Sequence, residues 1–454
     1  MFNKKVLVAG SGKSGICATA LLARNGEKVI LFDENTKLTE EGLFEKLGDI
    51  SNKENVKIHI GELTDEIISE CELMVISPGI PTDAPFALRV KEAGLPVWSE
   101  IELAYRYEKG RVAAITGTNG KTTTTTLVGE IIKEWNENTF VVGNIGIPYT
   151  SVCDETDESS CTVAEISSFQ LETIKTFAPR VTAILNVTPD HLDRHYTFEN
   201  YANCKADITK YQSESDYAVL NYDDPETMKL ADRIATNKIY FSRLAKLESG
   251  VYVDDGAIVI SESGSTKRVL DLKDIKLLGD HNTENVLAAV AVSYYMGVPV
   301  DIIAKVCISF QGVAHRIEYV RTVNNVAYYN DSKGTNPDAA IKAIKAMKTT
   351  TFLIGGGYDK HSAYDEWIEA FDAKVKYLVL IGQTAEKIAL CAKNHGFNSI
   401  VILDSLSEAV DFCHKNAKPG DAVLLSPACA SWGMFDNYEQ RGDLFKEYVN
   451  KLEE

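Results

Sequence analysis

Twice in this chain a short β-forming run ends on a glycine-rich turn and passes directly into a helical period, an order that suits an α/β architecture and few others. The first instance is Lys5–Ala9, then Gly10-Ser11-Gly12-Lys13-Ser14-Gly15, then an apolar period from Ile16 to Asn25. The second is Val112–Thr116, then Gly117-Thr118-Asn119-Gly120-Lys121, then a long helical stretch. Further strands are expected at Lys28–Asp33, Leu73–Ser77, Thr162–Ile166 and Val181–Val187. A polar helix is expected at Ser99–Tyr107, another near Phe198–Tyr211, a strand-like region at Ile239–Leu272 and an apolar helix at Asn282–Met296. After Gln311 and Gly312 the alternation resumes, with strands at Val326–Asn330, Thr351–Ile354, Tyr377–Ile381, Ser399–Leu403 and Ala422–Ser426. The chain reads as three consecutive α/β domains, at residues 1–98, 99–312 and 313–454, and 454 residues leave each enough to bury its own core.

Charge narrows the class of partner. With 47 Lys and Arg against 65 Asp and Glu the formal charge is −18, which argues against a nucleic-acid backbone as partner. An anionic ligand must then be held by locally placed lysines, arginines and backbone amides. The nine cysteines are scattered and contain no C-x-x-C pair, supporting neither a disulfide framework nor a cysteine zinc site. Only Val6–Ala9 separates Lys5 from the glycine turn, too short for a secretory leader, and no apolar run approaches the ~20 residues of a membrane span. A cytoplasmic monomer without membrane or nucleic-acid partners is expected.

The turn Gly10–Gly15 fits G-x-G-x-x-G, and Asp33 ends the next strand. Glycine there lets backbone amides approach a diphosphate at a helix N-terminus, and Asp33 can accept a ribose hydroxyl. Any tight strand-to-helix turn also favours glycine, and the loop does not distinguish a dinucleotide from a UDP conjugate. The second loop is more specific. In Gly117-Thr118-Asn119-Gly120-Lys121-Thr122-Thr123 the amides would cradle the β- and γ-phosphates of ATP, Lys121 would neutralise their charge, and the Thr122 hydroxyl would hold Mg²⁺. Ile115 stands where a general P-loop has its first glycine. Glu165, at the end of a strand beyond the P-loop helix, is placed to bind Mg²⁺. His191 and His195 have the spacing of a helical metal pair, but Pro189 comes just before them and a regular helix is not expected. Lys205 lies on a helix, where the default is a solvated lysine, and Asn282 and Asn285 open a helix where Asn ordinarily serves as a cap.

Several segments then follow in a telling order. They are the P-loop, Glu165-Ile166-Ser167-Ser168-Phe169-Gln170-Leu171-Glu172, Asn186-Val187-Thr188-Pro189-Asp190-His191-Leu192-Asp193, His281-Asn282, His315-Arg316, Asn330-Asp331-Ser332-Lys333-Gly334-Thr335-Asn336 and Ser426-Pro427-Ala428-Cys429-Ala430-Ser431. Together they resemble the Mur ligase family over essentially the whole chain, and the Ser-Ser-Phe-Gln-Leu-Glu and Asp-Ser-Lys-Gly-Thr-Asn segments are most similar to its D-glutamate-adding branch. The resemblance implies a Rossmann-like first domain, a P-loop ATPase-like central domain and a Rossmann-like third domain. It implies an ATP-dependent amide ligase of peptidoglycan precursor synthesis, joining D-glutamate to UDP-N-acetylmuramoyl-L-alanine through an acyl phosphate. By the same resemblance Ser14, Gly15, Asp33 and Ser77-Pro78-Gly79 form the uridine diphosphate pocket, and Asn144 and His191 face the muramoyl end. Gly117–Thr123 with Asn282, Asn285, Arg316, Asp331 and Lys333 would hold ATP. Thr335, Lys360 and Ser431 would hold D-glutamate, with Tyr438 standing where the family often has phenylalanine. Two Mg²⁺ ions would be bound by Thr122, Glu165, His191 and a carbamylated Lys205, whose carbamate supplies the hard oxygens that magnesium prefers, while His195 is structural. Nucleotide contacts drawn from two domains imply closure.

Residue chemistry supports this on its own terms. A carboxylate must be activated before an amine can attack it, and moving a phosphoryl group between two anions demands concentrated positive charge. A dehydrogenase built on the first loop leaves the second unexplained. A non-catalytic nucleotide-binding regulator has no use for Lys121, Glu165, His191, Lys205 and Asp331 together. The Asp-Asn-Pro-Arg-like signature of the family's diamino-acid enzymes is not found.

Overall fold

The computed structural model describes residues 2–144, 146–360 and 362–453. They fall into two compact units, Met1–Leu272 with Glu284–Cys307, and Lys273–Thr283 with Ile308–Glu454.

In the first unit β1 (Lys5–Ala9), β2 (Val29–Asp33), β3 (Val56–Ile60), β4 (Cys71–Ile76) and β5 (Val97–Ser99) form a parallel sheet in the order β3-β2-β1-β4-β5. Val6 and Val8 share a core with Ala18, Leu21 and Leu22 of the helix Lys13–Arg24, whereas Leu7 and Ala9 share the opposite core with Phe32, Ile67 and Phe86. Burial on both faces is why Val6–Ala9, Val29–Phe32 and Leu73–Ile76 read as unbroken apolar runs. Chain order reverses around β1, so a crevice opens at the carboxyl ends of β1 and β4, where Gly10 and Ser77 lie.

The second sheet of this unit contains β6 (Arg111–Thr116), β7 (Thr139–Gly143), β8 (Cys161–Glu165), β9 (Val181–Ile184), β10 (Tyr217–Asn221), β11 (Asn237–Ser242), β12 (Gly250–Asp254), β13 (Ala257–Glu262) and β14 (Ser265–Asp271). Their order is β14-β13-β12-β11-β10-β9-β6-β8-β7, parallel except for the β12-β13-β14 hairpins. Those hairpins resolve the strand-like region expected at Ile239–Leu272. Their turns, Asp255-Gly256 (φ 46° and 70°) and Ser263-Gly264 (φ 50° and 82°), place both central residues in the left-handed region that two-residue hairpins require.

The second unit carries β15 (Glu318–Val323), β16 (Val326–Asn330), β17 (Thr351–Gly355), β18 (Val375–Leu380), β19 (Ile400–Ile402) and β20 (Ala422–Leu425), in the order β15-β16-β20-β17-β18-β19. Only β15 among them runs antiparallel to its neighbour, across the left-handed pair Asn324-Asn325. Leu353, Leu378 and Leu424 face Ile344, Trp367 and Ile388, while Phe352, Ile354 and Leu425 face Phe445 and Val449. Three sheets, each mostly parallel and flanked by helices, make the three-domain α/β architecture expected.

Local differences have physical causes. Strand β9 extends only to Ile184, and the residues after it run on beside the P-loop, Leu185 N donating to Thr116 O at 3.0 Å and Asn186 O accepting from Thr118 N at 2.9 Å. The helix from Phe198 is α-helical only to Ala206 and closes with a 3-10 turn at Asp207–Thr209. β5 runs across the boundary expected at residue 98. No described helix is long and apolar enough to cross a membrane.

The helix Glu100–Tyr107 is polar by sequence, yet both its first acids are buried. Glu102 accepts from the amides of Lys175 (2.8 Å), Thr176 (2.9 Å) and Phe177 (3.1 Å) and from Arg106 Nε (2.9 Å). Burial opposes its ionisation, but these bonds and the Thr176 hydroxyl outweigh burial and lower its pKa. At Glu100, where Gln170 Nε2 donates at 2.7 Å, burial wins and pushes the pKa up to about 7. Folding therefore favours the protonated form of Glu100, and its contribution is fully present below the ordinary glutamate value of 4.5 and lost as pH rises through about 7. Glu100→Gln is expected to flatten the fall in stability between about pH 5 and pH 8 and to be more stable than the parent at the upper end by about 1–3 kcal/mol, read from urea midpoints.

Candidate active site

Gly10–Ser14 and Ser77–Gly79 line a cavity of about 500 Å³ together with Phe32, Asp33 and Ile80, and Gly15 lies just outside that lining. The helix Lys13–Arg24 starts at Gly12 with no side-chain cap, so first-turn amides around Ser14 are left for an anion. Gly15 is required by packing, since a Cβ there would lie 1.8 Å from Gly10 O. Asp33 is already engaged within the protein, where Oδ2 accepts from Ser11 N (2.8 Å) and Ser11 Oγ (2.6 Å), and Oδ1 from Asn35 N (3.0 Å). Burial opposes its charge, but these bonds win and lower its pKa, so an ionised Asp33 holds the turn in shape. Ser77 Oγ, by contrast, is buried with no partner among the described residues, a hydroxyl suited to a ligand.

At the carboxyl end of β6, Gly117 (φ 153°) and Gly120 (φ 85°) shape the second loop. A Cβ on Gly120 would stand 2.2 Å from Asn285 Oδ1, so glycine lets Asn285 press against the loop. The amides of Thr118 and Asn119 are already engaged, donating to Asn186 O and Asn186 Oδ1 at 2.9 Å each, while Asn186 Nδ2 returns a bond to Asn119 O at 3.1 Å. The expected phosphate cradle thus shifts toward the first turn of the helix Lys121–Trp135, where the amides of Thr122 and Thr123 have no intrahelical acceptor. Lys121 Nζ folds back onto Gly117 O (2.8 Å) and Thr118 O (2.9 Å). Asn186 is a site residue to which its sequence motif assigns no role.

Glu165 closes β8 with 1% exposure. Its Oε1 accepts from Asn144 Nδ2 at 2.8 Å, which places Asn144 beside this carboxylate, and its Oε2 is buried with no partner among the described residues. An orphaned carboxylate oxygen is costly unless a cation faces it, and as a hard donor it suits Mg²⁺. His191 (φ 51°) is half exposed and caps a one-turn helix, Leu192–His195, that forms in spite of Pro189. Its ring lies 4.9 Å from that of Phe169. His195 is buried, with Nε2 2.9 Å from Ser168 Oγ, and burial lowers its pKa. Lys205 departs from the solvated default: it is 2% exposed, donates to Gly117 O at 2.8 Å and sits 4.6 Å from the Tyr201 ring centroid. Burial, reinforced by the charge of Lys121, pulls its pKa down to about 7.

In the second unit Arg316, Asp331, Lys333, Thr335 and Tyr438 line a cavity of about 310 Å³. Asp331 accepts from Ser426 Oγ (2.7 Å) and Ile317 N (3.3 Å), and burial pushes its pKa up to about 7. Lys333 Nζ lies 5.3 Å from the Tyr438 ring centroid, and burial pushes the Tyr438 hydroxyl up to about 12. Lys360 and Ser431 do not line this cavity. Lys360 Nζ stands 4.7 Å from the Trp432 ring centroid, and Ser431 is buried in the adjoining turn. Asn282 donates to Leu278 O at 2.7 Å. Sequence reasoning missed Trp432 and Arg441. Arg441 is 1% exposed and donates to Ser332 Oγ (2.9 Å), Ser332 O (2.8 Å) and Cys429 O (3.1 Å), tying the Asp331 turn to the Ser431 turn. An arginine in a helical period gives no local sign of such burial.

Known proteins resemble this chain in sequence and in fold. Residues 4–99 match the Mur ligase MurD-like N-terminal domain, 115–293 the Mur ligase middle domain, and 315–429 the Mur ligase glutamate ligase domain. The chain is 53% identical over 452 residues, 100% of its length and 99% of the relative's, to a UDP-N-acetylmuramoylalanine–D-glutamate ligase of Lachnoclostridium phytofermentans. A protein of the same name from Lachnospira eligens is 55% identical over 450 residues, 99% of each chain. Among solved structures, the UDP-N-acetylmuramate-alanine ligase MurC from Thermotoga maritima superposes with a TM-score of 0.58 at 18% identity over 99% of both chains. The MurF ligase from Thermotoga maritima, in complex with ADP, gives 0.55 at 19% over 85% of this chain and 91% of that one. Three consecutive domain matches and full-length identity above one half are consistent with the loops and carboxylate just described: the chain belongs to the Mur ligase family.

Proposed function

We infer that the chain is an ATP-dependent ligase that joins UDP-N-acetylmuramoyl-L-alanine to D-glutamate in peptidoglycan precursor synthesis. Full-length identity above 50% to two ligases of that name carries the reading, and the P-loop with Glu165 and Lys205 supplies a chemical basis. The amides of Thr122 and Thr123 and the Lys121 ammonium gather the phosphate charge of ATP. The substrate carboxylate takes the γ-phosphoryl group to give an acyl phosphate and ADP. The D-glutamate amine then adds to the carbonyl carbon, and the tetrahedral adduct collapses with loss of phosphate and a proton. Thr122, Glu165, His191 and Lys205 would hold Mg²⁺, two ions in this reading, whose charge when bound offsets that of the phosphates. A buried lysine with lowered basicity is partly neutral near neutral pH, and a neutral amine adds to CO₂ to form a carbamate, releasing one proton and turning a cation into an oxygen donor.

Ser14, Gly15, Asp33 and Ser77–Gly79 are assigned to the uridine diphosphate group, Asn144 to the muramoyl end, and Asn282, Asn285, Arg316, Asp331 and Lys333 to ATP. Thr335, Lys360, Ser431 and Tyr438 are assigned to D-glutamate, and 1–98, 99–312 and 313–454 to the three domains. Nucleotide-linked substrates support a cytoplasmic enzyme, and the reaction requires no second copy of the chain. A dicarboxylic substrate needs a cation for its distal end, and Lys360 offers one. Removing a charge-assisted contact of about 1.5–3 kcal/mol, Lys360→Ala should raise the apparent KM for D-glutamate roughly ten- to a hundredfold while changing those for ATP and the UDP substrate far less. Steady-state titration of each substrate checks it, and an unchanged D-glutamate dependence would remove Lys360 from the pocket.

A further inference from the structure

Away from the residues assigned above, two helices of the second unit bring four side chains of three ligand types together. The helix Asp365–Glu369 carries Asp365 and Glu369 one turn apart, and the helix Ala385–Asn394 with its C-cap His395 carries Cys391 and His395 one turn apart. One ligand atom from each of Asp365, Cys391 and His395 lies within 4.8 Å of the others. His395 Nε2 is 3.0 Å from Asp365 Oδ1, and His395 Nδ1 is 3.7 Å from Glu369 Oε1. The Cys391 thiol hydrogen-bonds to the same Asp365, and a surface histidine–carboxylate pair, which contributes little by itself, does not account for the second carboxylate on the other ring nitrogen.

We propose that Asp365, Cys391 and His395 form a binding site for a divalent cation of the Zn²⁺ type, with its fourth position open to solvent. The donor set of thiolate, imidazole and carboxylate suits a borderline-soft tetrahedral ion and disfavours Mg²⁺. Metal–ligand lengths near 2.0–2.3 Å put neighbouring tetrahedral donors about 3.5 Å apart, so side-chain rotation alone can draw the three atoms in. Glu369 occupies the place of the carboxylate that fixes a ligating histidine: with the imidazole proton on Nδ1 facing Glu369, the Nε2 lone pair is free for the ion. Binding releases the thiol proton of Cys391 and leaves His395 neutral. The ligands are divided between two helices distant in sequence, which is why cysteine spacing did not reveal them.

The test uses full-length protein stripped of metal with a chelator. Equimolar Co²⁺ should produce sulfur-to-cobalt charge-transfer absorption with the visible bands of a four-coordinate ion, Zn²⁺ should abolish both, and excess Mg²⁺ should affect neither. Cys391→Ser should lose the charge-transfer absorption. His395→Ala should bind Zn²⁺ at least tenfold more weakly, and Glu369→Gln roughly ten- to a hundredfold more weakly with the absorption retained. All four side chains lie at or near the surface, and unchanged circular dichroism melting confirms that each variant is folded. Absence of the absorption in the parent, its survival in Cys391→Ser, or unchanged Zn²⁺ affinity in His395→Ala overturns the proposal.

Discussion

Lys121→Ala should lower the rate of amide formation by about 10²–10³-fold while changing the affinity for the UDP-linked substrate by less than about twofold. The size follows from what the ammonium does: folded over Gly117 O and Thr118 O, it is held where it can face the phosphates, and no neighbouring amide supplies a full positive charge. The selectivity follows from topology. The cavity assigned above to the uridine diphosphate group opens at the ends of β1 and β4, whereas Lys121 follows β6 in a different sheet. Steady-state kinetics and calorimetric titration of the UDP substrate separate the two effects, and an equal loss of both in a folded variant would contradict the division of labour.

Lys205→Ala is expected to be as severe, with turnover reduced by about 10³-fold, and it carries a signature that simple loss of packing lacks. If Lys205 acts as a carbamate, a small carboxylate such as formate or acetate can enter the vacated space and restore part of the rate by supplying an oxygen donor. Removal of dissolved CO₂ should also depress the parent reversibly and leave the alanine variant unaffected. The position supports this role: Nζ is buried against Gly117 O, close enough to Lys121 to feel its charge. Full activity of Lys205→Ala without additive would eliminate the assignment.

The parts of this architecture visible in the sequence are those written locally. Val6–Ala9, Val29–Phe32 and Leu73–Ile76 are apolar without interruption because neighbouring helices cover both faces, and the P-loop announces itself because strand, glycines, lysine and hydroxyls are contiguous. What escapes a sequence reading depends on residues far apart in the chain. Lys205 sits in an unremarkable helical period, and only the packing of that helix beneath Gly117 makes it a buried amine. The capture of the Thr118 and Asn119 amides by Asn186 spans 67 residues and alters which amides can serve a phosphate. β15 is hidden in the sequence although Asn324-Asn325 is a good hairpin turn, because most of its residues are half buried and show no clean alternation. In the third sheet, motif reading gives Thr335, Lys360 and Ser431 a common ligand but not their neighbours: Thr335 lines a cavity with Arg316 and Asp331, and Lys360 lies over the Trp432 ring.

The central claim concerns which bond the chain makes, and mass analysis of the product tests it most directly. Purified protein would be incubated with UDP-N-acetylmuramoyl-L-alanine, ATP, Mg²⁺ and an equimolar panel of D- and L-amino acids. The expected result is a product carrying D-glutamate in amide linkage, with ADP and phosphate released in equal amounts. A product carrying L-lysine or another amino acid in its place, or ATP hydrolysis with no amide formed, would contradict it.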